Sequence, residues 1–392
     1  MNDTAQEPQT NPADTPAPAA APDTDTVNSV VLRDLPYLTA DLPGIGGRWK
    51  DVAEDFVVEE VPAYEPAGTG EHLFLWIEKQ DVSADELVRH VSRCLGCSPR
   101  DIGVAGLKDR RAITRQYISV SARLAGEVPK IDTDSIRVLR SAQHGNKLRT
   151  GHLRGNRFSI LIRDVAESAL QRATEIAERI RKFGFPNYYG TQRFGRNGET
   201  LQLGLDLLTG RKKSRDIPGA QRRFLLRLSL SAVQSDLFNR ALSDRLADGL
   251  LNTVLEGDVM EVVASGGKFI AADVAAEQPR YDMGETAVTG PMFGLKMRDP
   301  TGVPLQREAD LLAWSGLGPE HFSKYLNLMT GTRRAYVIRP GELQIVPDSN
   351  GLRFEFTLPS GVYATTLLRE FMKSDEMPTV PESEDAVDDE AR

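Results

Sequence analysis

Apolar and polar residues alternate in strand fashion near both ends of this chain, while helical periodicity fills much of the space between them. Toward the start, Phe56-Val57-Val58-Glu59-Glu60-Val61 and Leu73-Phe74-Leu75-Trp76-Ile77 read as strands joined by a Gly-rich turn at Gly68-Thr69-Gly70. Near the end, Leu352, Phe354, Phe356 and Leu358 alternate with Arg353, Glu355 and Thr357, the pattern of a half-buried strand. Ser83-Ala84-Asp85-Glu86 is a capping box that opens a helix, with Leu87, Val88, Val91, Cys94 and Leu95 on one apolar face before Gly96. A second helix is predicted over about 166–182, with Leu170, Ala173, Ile176, Ala177 and Ile180 inward and Gly184 as its stop. A third runs over about 229–246 through Val233, Leu237, Phe238, Ala241 and Leu242. Strands, helices and strands again predict an α+β fold whose main sheet is interrupted by a middle segment. Breaks near Phe185-Pro186-Asn187 and Ser315-Gly316-Leu317-Gly318-Pro319 bracket that insertion. At 392 residues, and with domains of about 150 residues as a guide, two folded units are the expectation.

The net charge of −8 conceals an uneven distribution. Residues 1–27 carry five acids and no base, and residues 374–392 carry eight acids and one Arg. The body between them keeps 47 Lys and Arg against 43 Asp and Glu, so it is mildly basic. Both tails hold too few large apolar side chains to offset the entropy of ordering, and both are predicted to be disordered. No run of 18 uncharged apolar residues exists, which argues against a membrane span. The start lacks a basic segment followed by an apolar core, so a secretory signal is not expected. Two cysteines cannot build a disulfide framework, and a cytoplasmic location is the expectation.

The chemistry concentrates in Gly103-Val104-Ala105-Gly106-Leu107-Lys108-Asp109-Arg110-Arg111-Ala112-Ile113-Thr114-Arg115-Gln116. Thr114, Gln116, Ile118 and Val120 alternate with Arg115, Tyr117 and Ser119, which places Asp109 in a tight connection between two strand-like pieces. Lys108, Arg110 and Arg111 surround this one carboxylate. Nearby cations favour an ionised Asp, which can act as a nucleophile toward a polyanionic substrate. The plainer alternative is a solvated turn with surface ion pairs. A second basic cluster contains His144, Lys147, Arg149, His152, Arg154 and Arg157, and ends in Phe158 at the head of the strand Phe158-Ser159-Ile160-Leu161-Ile162. Cations beside a ring suit a single-stranded nucleic acid, which needs phosphate contacts and a stacking surface. Further basic patches lie at 211–215, at Arg222, Arg223 and Arg227, and at Arg333-Arg334. Together these make RNA or DNA the expected partner class.

Other signatures fail. Cys94-Leu95-Gly96-Cys97 has no second Cys pair to complete a zinc site, and Cys94 lies on the apolar face of its helix. The five histidines show no metal-ligand spacing. Neither a phosphate-binding P-loop, nor a G-x-S-x-G elbow, nor a full G-x-G-x-x-G at a strand–helix junction is present.

Several of these segments, in order, resemble the TruD-type pseudouridine synthases. Gly106-Leu107-Lys108-Asp109-Arg110, with Ala112, Thr114 and Gln116, is similar to the family signature. Lys50-Asp51-Val52-Ala53-Glu54-Asp55-Phe56-Val57-Val58 resembles its K-x-x-x-E-D-F-x-V start, with Val52-Ala53 where many members carry Pro before Glu-Asp. Gly68-Thr69-Gly70-Glu71-His72 resembles its G-x-G-E-H turn, and Gly155-Asn156-Arg157-Phe158 its N-x-F motif. Pro186-Asn187-Tyr188-Tyr189-Gly190-Thr191-Gln192-Arg193-Phe194-Gly195 is similar to its P-N-Y-F/Y-G-x-Q-R-F-G block.

The resemblance implies a pseudouridine-synthase catalytic domain with a mixed, largely antiparallel sheet, formed by residues 28–182 and 318–373 around an inserted α/β domain at 183–317. It implies isomerisation of uridine to pseudouridine in tRNA, at position 13 by the family's name. Asp109 would be the catalytic carboxylate, Lys50 its partner, Phe158 the stacking surface for the target base, and Asn156 a support for the loop. Lys108, Arg110, Arg111, Arg154, Arg157 and Arg193 are the expected RNA contacts. Isomerisation involves neither net redox change nor hydrolysis, so neither cofactor nor metal is expected. Two other readings remain: an RNA-binding protein of the same fold without catalysis, and an N-glycosidase that releases a base.

Overall fold

The computed structural model describes residues 34–374, so the two tails expected to be disordered lie outside the described residues, apart from Ser374. The described residues open with β1 (Gly46–Arg48), β2 (Phe56–Pro62), β3 (His72–Gln80), α1 (Ala84–Leu95), β4 (Gly103–Val104), β5 (Ile113–Ser121), β6 (Ile136–His144), β7 (Leu153–Val165) and α2 (Ala169–Phe183). The middle contributes β8 (Phe185–Pro186), α3 (Glu199–Thr209), α4 (Arg222–Ala247), β9 (Val259–Val262), β10 (Lys268–Ile270), α5 (Val274–Asp282) and β11 (Thr286–Met292). It continues through α6 (Gly302–Ser315), α7 (Pro319–Ser323), β12 (Thr332–Ala335) and β13 (Val337–Ile338). The chain then returns as β14 (Gly341–Asp348), β15 (Gly351–Pro359) and α8 (Ala364–Met372).

Strands from both ends of the chain make one sheet in the order β14-β15-β7-β2-β5-β3-β6, with β1 added on β7 and β4 on β5. Only β2 and β5 run parallel in it. The fold is therefore α+β with a mixed, largely antiparallel sheet. The Gly-rich turn does not close a hairpin, because β5 lies between β2 and β3. Adjacent β7 and β15 approach closely at Gly155, where an added Cβ would sit 2.1 Å from the Leu358 carbonyl oxygen.

One sheet face carries two helix packs. α1, started by the Ser83–Glu86 capping box, buries Leu87, Val91 and Leu95 against Leu75, Ile77 and Ile118. α2 and α8 cover Phe56, Val58, Phe158, Ile160 and Phe354. On α2, Ala173, Ile176, Ala177 and Ile180 are inward, as the periodicity predicts, whereas Leu170 points outward at 44% exposure. Gly184 ends α2 at φ 76°, a conformation that a side chain disfavours. The other sheet face buries Phe74, Trp76 and Tyr117 beneath Leu148 and Leu153.

The inserted lobe hangs on the short β8–β13 pair, where Phe185 faces Ile338 and Pro186 faces Val337. Its core gathers residues from Tyr188 to Val337 around α4 and the four-stranded sheet β10-β9-β11-β12. The insertion thus extends past the expected limit of 317: Phe322 and Met329 belong to its core, and β12 pairs with β11. α4 starts at Arg222 rather than near Ser229, extending to 26 residues.

Candidate active site

Asp109 lies in the connection from β4 to β5, which is tied to the sheet at Lys79 and Glu60. The Lys50 ammonium donates to Asp109 Oδ2 at 3.0 Å. That ammonium also sits 3.9 Å from the centre of the Phe56 ring and 4.9 Å from the Trp49 ring. Aromatic faces attract a cation, so the lysine is held from its buried side and offers its charge to the carboxylate. The partners differ in exposure: the Lys50 side chain is 6% exposed and that of Asp109 53%. The site therefore presents a carboxylate backed by a sequestered cation. Lys50 adopts φ 62°, unusual for a residue with a side chain, where the chain turns from β1 toward β2.

Strand register defines the floor beside this pair. Phe356, Phe158, Val58, Thr114 and Lys79 line up across β15, β7, β2, β5 and β3. Leu358, Asn156 and Glu60 form the next row on the same face, because side chains two residues apart share a side. Phe158 is 7% exposed, with its ring stacked on Phe356 at 5.3 Å and tilted against Phe56 at 6.2 Å. Asn156 Oδ1 is buried and takes no hydrogen bond from the protein, so no bond through that oxygen ties it to the Asp109 connection. Lys50 and Phe158 thus both lie against the Phe56 ring, and Asp109 joins them through its pair with Lys50.

The expected RNA contacts divide into three groups. Lys108 must be withdrawn from them: it is buried, and its ammonium donates to Glu60 Oε2 at 3.3 Å beneath the connection. Arg157 points to the opposite sheet face, where it pairs with Glu342 at 3.7 Å beside Glu59 and Arg115. It lies one residue out of phase with Asn156 and Phe158, and the pleat turns it away. Arg110 and Arg111 are exposed next to Asp109, Arg110 lying 3.8 Å from Glu86. Arg154 and Arg193 line a cleft of about 970 Å³ between the sheet and the inserted lobe, together with Arg227, Arg333, Arg334 and Arg339. Arg154 shares the face and strand of Asn156, two residues or roughly 7 Å away.

Two buried charges were missed by sequence reasoning. Glu60 accepts from Lys108 and from the backbone N–H of Tyr117. Lys79, 0% exposed, donates to the carbonyls of Val82 at 2.6 Å, Asp109 at 2.9 Å and Lys108 at 3.5 Å. The signal for both was phase: Glu60 follows the inward Phe56 and Val58, and Lys79 follows the inward Leu75 and Ile77. Behind the sheet, burial pushes the Tyr117 phenol up to about 12, so it remains neutral near pH 7. Cys94 packs half-buried along α1, and the described residues contain no group of three or more His, Cys, Asp or Glu able to hold a metal ion. No described helix is long and apolar enough to cross a membrane.

Comparison with known proteins matches residues 33–215 and 213–371 to the family model of tRNA pseudouridine synthase D (TruD). The curated tRNA pseudouridine synthase D of Anaeromyxobacter dehalogenans strain 2CP-1 is 43% identical over 344 residues, covering 88% of this chain and 98% of the relative. That of Thermus thermophilus is 39% identical over 355 residues, covering 90% and 96%. A crystal structure from Methanosarcina mazei that carries the TruD name superposes with a TM-score of 0.70 at 26% identity, covering 85% of this chain and 95% of that one.

Proposed function

The chain belongs to the tRNA pseudouridine synthase D family, and on that premise we propose that Asp109 is the carboxylate on which its reaction turns. The reaction is isomerisation of uridine in tRNA to pseudouridine. The C1′–N1 bond breaks, the uracil turns within the site, and a C1′–C5 bond forms. C5 loses a proton and N1 gains one, so every atom of the nucleotide is retained.

The observation that carries the assignment is the Lys50–Asp109 pair, a half-exposed carboxylate held at 3.0 Å by a buried ammonium. A target base must leave its stack to reach that carboxylate. Phe158 and Asn156, on the floor beside the pair, are the groups to receive it: a ring for stacking, and an amide oxygen able to accept from the uracil N3–H. The arginine-lined cleft supports the partner. Arg154 and Arg193 would hold phosphates on the inserted-lobe side, and Arg110 and Arg111 would do so beside Asp109. Arg157 and Lys108, turned away or buried, take no part.

The target is position 13 of tRNA, and the test is nucleotide-resolution pseudouridine mapping of tRNA transcripts incubated with the full-length protein. A new pseudouridine at position 13, with no free uracil, supports the proposal. Released uracil would identify a glycosidase instead, and tRNA bound without modification would leave a binding protein.

A further inference from the structure

The connection from residue 105 to residue 112 has no strand ladder of its own, so the carbonyls of Lys108 and Asp109 need partners from elsewhere. Both accept from Lys79, whose side chain rises from the row that also holds Thr114, Val58 and Phe158. The third carbonyl on that ammonium, Val82 O, ties the start of α1 to the same point. Burying an ammonium is costly unless its protons are satisfied, and an apolar side chain would fill the space without that cost. Lys108, one residue before Asp109, is anchored separately to Glu60. The backbone that carries the proposed catalytic carboxylate is thus fastened to the sheet at two adjacent residues. The carboxylate itself is left half-exposed to meet its substrate.

We propose that Lys79 is a positioning residue for catalysis: by holding the Asp109 carbonyl from beneath, it fixes where the Asp109 carboxylate stands relative to the flipped uridine. This rests on the assignment of Asp109 above. Lys79 never touches RNA, because it is wholly buried under the connection, so its effect falls on turnover rather than on affinity. Misplacing a reacting group by about 1 Å costs about 100-fold in rate.

The test uses full-length Lys79→Met, Lys79→Gln and Asp109→Asn, each measured for single-turnover pseudouridine formation, tRNA Kd and thermal melting. Lys79→Met should lose about 100-fold in turnover. Lys79→Gln should fall between it and wild type, because an amide still donates to a carbonyl. Both should bind tRNA within about threefold of wild type, since the phosphate contacts are untouched. Folded Lys79 variants with turnover within about threefold of wild type would overturn the positioning role if Asp109→Asn is inactive. So would a rate loss that merely follows the folded fraction, or failure of both variants to fold, since Lys79 would then serve the fold alone. Full activity in Asp109→Asn would instead overturn the assignment of Asp109, whatever the Lys79 variants do.

Discussion

Phe158 can be a base platform or simply one more core ring, and replacing it with leucine separates the two. The ring is 7% exposed and wedged between Phe356 and Phe56, so Phe158→Ala would open a cavity and cost about 3–5 kcal/mol of stability. A rate loss in that variant would be ambiguous. Phe158→Leu keeps most of the apolar volume, and swaps that nearly conserve volume cost less than about 1.5 kcal/mol. It still removes the aromatic face, and stacking a base on such a face is worth about 1–3 kcal/mol. The expected result is a modest fall in melting temperature with turnover reduced about 5- to 150-fold, at 25 °C where the protein remains folded. The assay is single-turnover pseudouridine formation at saturating enzyme, beside a thermal melt of the same preparation. Near-wild-type turnover in a slightly destabilised Phe158→Leu would refute the stacking role and leave Phe158 as packing for the sheet.

Two further outcomes follow from the same geometry. Lys108→Met removes the ammonium that pairs with the fully buried Glu60 carboxylate and should cost about 3–5 kcal/mol, read as a lowered denaturation midpoint; an unchanged midpoint would contradict the buried pair. Arg154→Ala and Arg193→Ala should each weaken tRNA binding and flatten the log–log salt dependence by about 0.7–0.9 per lost phosphate contact, whereas Arg157→Ala should leave both unchanged. A salt slope that moves only with Arg157 would put the RNA on the other face of the sheet.

Local signals carried the sequence reading where structure is locally determined. The Ser83 capping box, the inward face of α2 from Ala173 to Ile180 and the alternation around Phe56 and Phe354 all depend on neighbours within a turn or a strand. The errors arose where distant partners decide. By its neighbours Lys108 reads as part of a wet basic run, but its partner is Glu60, 48 residues earlier, and the pair lies under the connection. Leu170 fits the helical stripe but emerges at the uncovered edge of α2. α4 begins early because Arg222 and Phe224 form helix with no side-chain cap at Gln221 to announce it. The insertion boundary moved because β12 finds its partner, β11, across the intervening α6 and α7, a pairing that no local pattern encodes. The orientation of Arg157, by contrast, is legible locally. With Asn156 and Phe158 taken as facing the site, the two-residue period of a strand already turned Arg157 to the other side.

The central claim is that Asp109, held by Lys50, does the chemistry while the arginine-lined cleft does the binding. Asp109→Asn tests it most directly, because the change keeps the side chain's shape, removes its charge and leaves every phosphate contact in place. Single-turnover pseudouridine formation and tRNA Kd, measured on the same full-length variant, should show no detectable product at an affinity within about threefold of wild type. Product formation at more than about a tenth of the wild-type rate, a deficit under about 1.4 kcal/mol, would contradict the claim.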